Sequence, residues 1–129
     1  MKNKLLYTGG ILTFLWGISH LFPTANIVRD FGNISFDNKM IITMEWIIEG
    51  MSLIFLGILT VIVTMIDSKG RLSRVVYISI AGMLIALSVL SLFTGFRVNF
   101  IVFKFCPVIF MTSAVLILVG NQLKPKPEL

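Results

Sequence analysis

The chain has 129 residues, of which 57% are hydrophobic and only 13% charged, and its mean hydropathy is +0.96. That balance excludes a soluble domain, in which about a quarter of the residues carry charge. The net charge of +5 comes from lysines and arginines at the ends of apolar segments, which speaks for membrane topology and anionic lipid and against nucleic acid.

Crossing a hydrocarbon layer ~30 Å thick takes roughly 20 apolar residues. Four runs meet that need, 5–22, 40–66, 75–96 and 105–123. They predict an all-α membrane protein: a single domain, residues 1–129, forming a four-transmembrane-helix bundle with too little chain left for a soluble module. The one cysteine, Cys106, excludes an internal disulfide and a CxxC redox pair.

The first run follows a basic start, as a signal peptide does, but it is long for an h-region and no A-x-A site follows, so a retained helix is expected. Within it Gly10, Thr13, Gly17 and His20 recur at helical spacing and share one face. Small residues on a stripe admit a neighbouring helix in lipid, which places His20 on the packed side. A histidine there either bonds a backbone carbonyl at the helix end or belongs to a site.

Residues 23–39 form the longest connection. Ile27, Val28, Phe31, Ile34 and Phe36 punctuate it among Arg29, Asp30 and asparagines, a pattern that predicts a short interfacial helix or a lid on the membrane. Asn33-Ile34-Ser35 fits the glycosylation pattern, a match short enough to arise by chance.

The second run, MIITMEWIIEGMSLIFLGILTVIVTMI, is the centre of the chain. Gly50, Leu53, Gly57, Thr60 and Thr64 make a second small-residue stripe. Glu45 and Glu49 lie one above the other on a face roughly a quarter-turn from it, at 100° per residue. A carboxylate at membrane depth is costly, so its default reading is functional, with a partner to be found. Trp46 suits the aromatic belt at headgroup level.

The connection 67–74, DSKGRLSR, is short and basic. The third helix carries Ser79, Gly82, Ala86, Ser88, Ser91 and Gly95, with no ionisable group until Arg97. Residues 97–104 read as a brief turn, and Pro107 is tolerated in the first turn of the fourth helix, which closes at Gly120-Asn121 before a KPKP tail.

With four spans both termini share a side. That side holds Lys2, Lys4, Lys69, Arg71, Arg74, Lys124 and Lys126; the other holds Arg29, Lys39, Arg97 and Lys104. The excess predicts cytoplasmic termini in a multi-pass protein of the cell membrane, the inner membrane if the source is bacterial.

Depth follows from the same numbers. Counting ~20 residues back from Asp67 reaches Ile47, so Glu49 lies just inside the outer boundary and Glu45 at it. His20, Arg97 and Lys104 fall at the same level, as do Phe22, Phe31, Phe36, Phe93, Phe96, Phe100, Phe103 and Phe105. A polar cluster walled by aromatics describes a pocket for something small and largely apolar. Glu49, His20 and Glu45 are the candidates for chemistry; Arg97, Trp46, Phe96, Phe100 and Lys104 are the candidates for ligand contact. The simpler alternative is that charges and aromatics are ordinary at helix ends.

Histidine with glutamate equips a site for proton transfer. Arg97 is suited to hold a carboxylate or phosphate, or to pair with Glu49. One histidine and two glutamates without a Glu-x-x-His or His-x-x-x-His pair make a poor metal site, and no metal is expected. No nucleophile constellation, phosphate-binding glycine loop or bis-histidine haem pair is present, and no cofactor is indicated.

The stretch 10–22, GILTFLWGISHLF, resembles the first helix of the DoxX-like membrane proteins, where a Gly-x-x-Lys-Leu-Phe ending is common. The second helix, with its acid, Gly50 and then Leu56-Gly57, is similar to that family too, as is the small four-helix size. The resemblance covers the first half of the chain and departs at His20, which stands in the place of the family's lysine. It implies a mixed set of roles, quinone-linked sulfur oxidation subunits and chaperone-like accessory proteins among them.

Three functions follow as expectations. The first is an enzyme or enzyme subunit acting on or binding a small lipophilic molecule (quinone, isoprenoid or lipid-like), within the lipid bilayer. The second is a non-catalytic accessory subunit, partnered by another membrane subunit or by copies of itself. The third is a small proton-coupled transporter, for which acids displaced to one leaflet fit less well than acids at the midplane.

Overall fold

The computed structural model describes residues 1–95, 97 and 101–123, all of whose regular structure is helical. Helix α1 spans Lys2–Leu21, α2 Thr24–Asp30, α3 Phe36–Ile66, α4 Arg71–Gly95 and α5 Cys106–Gln122, with a short 3-10 turn at Ile101–Lys104. Helices α3 and α4 are each long and apolar enough to cross a membrane, α1 and α2 are so as a pair bent by 54°, and α5 is a shorter apolar helix.

Local chemistry sets the boundaries. α1 stops because Pro23 lacks an amide hydrogen, and the Thr24 hydroxyl donates to the Leu21 carbonyl at 2.6 Å, taking up an acceptor the helix end leaves open. α2 then turns away as the short helix expected in the long connection. α3 begins at Phe36, earlier than Met40, because Ser35 caps it, its hydroxyl accepting from the Asn38 N–H at 3.2 Å. The α3–α4 turn is tied by Asp67, whose Oδ1 accepts from the N–H groups of Lys69 and Gly70 at 2.7 and 3.0 Å. That knot lets α4 start at Arg71 rather than Val75. Pro107 occupies the first turn of α5, where its missing N–H costs nothing.

Both small-residue stripes are buried, and they face each other. A Cβ on Gly57 would stand 2.6 Å from the Phe14 nitrogen and 2.7 Å from the Gly10 oxygen; one on Gly17 would stand 2.7 Å from the Ile54 nitrogen. The α1 and α3 backbones therefore touch, and only glycine fits at these crossings. On the opposite face of α3, Met44, Ile48, Met51, Phe55, Ile58, Ile62 and Met65 form an exposed apolar stripe suited to lipid tails.

α5 lies against α1 and α4, and the buried Ser88 hydroxyl donates to the Pro107 carbonyl at 2.8 Å across the α4–α5 contact. The core between the helices is Leu6, Leu53, Tyr77, Ile80, Ala81, Leu84, Phe110, Ala114 and Ile117. α3 and α4 make little contact beyond the turn that joins them. Near that turn the Thr64 hydroxyl donates to the Thr60 carbonyl at 2.7 Å, which leaves its oxygen to accept from the Tyr77 hydroxyl at 3.0 Å. Towards their other ends the two helices diverge.

Candidate functional site

The site forms where the end of α1 meets the start of α3. Gly17 and Gly50 cross closely, so His20, three residues beyond one, comes level with Glu49, just before the other. The register of the glycine seam thus decides which polar groups meet.

His20 is held by Trp46. Its side chain is 4% exposed. Its ring stacks on Trp46, centroids 4.0 Å apart and planes 15° from parallel. The Trp46 indole N–H donates to the His20 carbonyl at 2.8 Å, closing an acceptor the helix end leaves open. Phe103 meets the other side of Trp46 edge-on at 5.3 Å and 73°. Trp46 therefore does more than mark the headgroup level: it fixes the histidine.

His20 Nε2 lies 3.5 Å from Glu49 Oε2, a charge contact too long for a good hydrogen bond. The buried Nε2 has no hydrogen-bond partner. Glu49 keeps 34% of its side chain exposed, so the pair has one member inside the protein and one at its surface. A proton on either group needs only a small side-chain shift to reach the other.

Two spaces adjoin the pair. A small cavity of about 60 Å³ is lined by Trp16, Ser19, His20, Pro23, Trp46, Phe103 and Cys106. The divergence of α3 from α4 opens a cleft of about 750 Å³. Its walls are Ile27, Asp30 and Phe31 from α2, Ile42, Glu45, Trp46, Ile48, Glu49 and Ser52 from α3, and Met83, Leu87, Leu90, Ser91 and Thr94 from α4, with Phe103 and Cys106 at its base. Trp46, Phe103 and Cys106 are shared by both spaces. The volume lies within the usual range for small-molecule pockets, roughly 300–1,000 Å³, and the lining is mostly apolar.

Of the residues expected from the sequence, His20, Glu49 and Trp46 come together, and Glu45 lines the cleft as an exposed residue. Arg97 and Lys104, expected as ligand contacts, are exposed and line neither space. The reason lies at Gly95, where an added Cβ would stand 2.8 Å from the Phe103 oxygen. Phe103, packed against Gly95, presents an aromatic ring to the cleft. Phe96 and Phe100 lie outside the described residues.

Sequence reasoning missed the α4 wall, because Met83, Leu87, Leu90, Ser91 and Thr94 carry no ionisable group. It also missed Cys106 and Trp16. No grouping of three histidine, cysteine or acidic residues among the described residues is placed to hold a metal ion. Comparison with protein-family models, curated proteins and solved structures finds no match for this chain.

Proposed function

We propose that this chain is a four-span membrane protein, both termini cytoplasmic, that binds a small lipophilic molecule in the α3–α4 cleft and exchanges a proton with it through Glu49 and His20. The observation that carries the reading is the position of the pair. Glu49 lines an apolar cleft of about 750 Å³, and behind it stands a buried histidine 3.5 Å away. A ligand entering between the helices meets the carboxylate first, and the imidazole acts as the proton reservoir behind it. Trp46 and Phe103 keep the imidazole in place, the positioning that acid–base chemistry needs.

The seven-to-four distribution of basic residues supports an outer-leaflet position for this end of the bundle. The resemblance of the first two spans to DoxX-like proteins agrees with a ligand drawn from the lipid phase, since some members of that family are quinone-linked. An enzyme or enzyme subunit is the role such a pair serves.

A lipophilic diazirine photolabel in membranes tests the site. Crosslinks mapped by mass spectrometry are expected at Met83, Leu87 and Leu90 in excess of the lipid-facing Phe55 and Ile62. Labelling at equal density on all five would show that the cleft holds nothing beyond bulk lipid.

A further inference from the structure

The polar end of the cleft has a sign. Its ionisable lining among the described residues is Asp30 from α2 with Glu45 and Glu49 from α3, all acidic. Asp30 has the exposed Arg29 beside it at 3.8 Å; the ion pair of Glu49 among the described residues is with His20. The basic residues Arg29, Lys39, Arg97 and Lys104 line neither space. α4 contributes only the hydroxyls of Ser91 and Thr94, and the Thr94 hydroxyl is already committed to the Leu90 carbonyl at 2.9 Å.

A second observation points the same way. His20 Nε2, buried with its side chain 4% exposed, has no hydrogen-bond partner and faces the Glu49 carboxylate at the cleft wall. A buried polar atom without a partner is costly and uncommon, and each such atom asks what completes it. A hydrogen-bond donor carrying positive charge would answer both needs. Its N–H groups would meet the Glu49 carboxylate, with the imidazole Nε2 3.5 Å behind it, and its charge would offset the acids. The ring of Trp46, stacked on His20, and that of Phe103 against it are the aromatic faces at this end, and such faces favour a cation.

We infer that the ligand is a lipophilic amine: an apolar body lying between α3 and α4, ending in an ammonium group at Glu49 and His20. This rests on the reading that the cleft binds a lipophile, and narrows it. A carboxylate or phosphate at that end would meet carboxylates, and among the described residues no basic side chain lines the cleft to receive it. An uncharged ligand would leave the acids uncompensated.

The probes are dodecylamine, dodecanol and dodecyl sulfate, added to the full chain in phosphatidylcholine nanodiscs and followed by tryptophan fluorescence. Affinities are compared per mole fraction in the bilayer. Dodecylamine is expected to bind saturably, about tenfold or more tighter than either of the others, a difference expected of one desolvated charge pair. Glu49→Gln should remove most of that preference and Glu45→Gln a smaller part, with helicity and gel-filtration profile unchanged in both. Should Glu49→Gln fail to fold, the graded loss in Glu45→Gln decides.

Two sources of the amine are separated by replacing phosphatidylcholine with phosphatidylethanolamine. If that replacement abolishes dodecylamine binding, a lipid headgroup is the amine; if binding persists, the amine is a free molecule. Equal saturable binding of dodecanol, blocked by Ser91→Trp in the cleft, would overturn the amine inference and keep the lipophile reading. No saturable binding of any probe would overturn both.

Discussion

Helix α3 meets one neighbour closely and another hardly at all. Against α1 it is closed: Gly57 and Gly10, Gly50 and Gly17 bring the backbones into contact. Against α4 it is open, tied only at the turn by Asp67 and the Thr64–Tyr77 hydrogen bond, then parted by the cleft. In lipid there is no hydrophobic drive to close a gap, because acyl chains solvate leucine as well as leucine does. Helices close where small residues match and stay apart where they do not. Gly82 of α4 is exposed, with nothing within 4 Å of where its Cβ would be, and takes part in no such seam. The contrast teaches that the seam positions the polar pair while the gap opens a cleft beside it.

The largest expected effect breaks the seam. Gly57→Leu puts a side chain where the Phe14 backbone stands, and overpacking of that kind costs about 3 kcal/mol or more. Thermal unfolding in detergent should fall sharply for Gly57→Leu and hardly move for Gly82→Leu. Similar losses at both glycines would remove the distinction between closed and open faces.

Next in size is the pair itself. Glu49→Gln keeps the shape and removes the titration, so a proton-transfer turnover should fall about a hundredfold, the lower end of what general acid–base catalysis supplies. Glu45→Gln, exposed at the cleft mouth, should do much less. Equal tolerance of the two in a turnover assay would leave the pair without a catalytic role. Ser91→Trp should then reduce ligand binding by filling the cleft from α4, while thermal stability stays near that of the parent. Smallest is Tyr77→Phe, which deletes the hydrogen bond at the closed end of the gap and should cost about 1 kcal/mol, read by denaturation.

Much of this arrangement is legible in the residues alone. Glycine and threonine spacing on the first two runs marks the buried faces, and the depth count brings His20 to the level of Glu49, because both arguments depend on helix geometry. What pattern does not carry is a pair of helices failing to meet. The α4 wall is ordinary apolar text, and nothing in Met83, Leu87 or Leu90 tells lipid from cleft. Arg97 reads as a site residue because it sits at the right depth, yet the close passage of Gly95 against Phe103 keeps it out of the lining. That depends on a contact between the end of α4 and the 3-10 turn eight residues on, which periodicity does not encode. Trp46 is the intermediate case, since its depth is readable but its stacking on His20 is not.

The central claim is that the α3–α4 cleft holds a lipophilic ligand at the Glu49–His20 pair. Native mass spectrometry of the chain released from nanodiscs tests it most directly. The account predicts an adduct of defined mass on the parent chain, diminished in Glu49→Gln, absent in Ser91→Trp and unchanged in Gly82→Ala. An adduct of the same occupancy in all four proteins, or bare protein in every one, would contradict it.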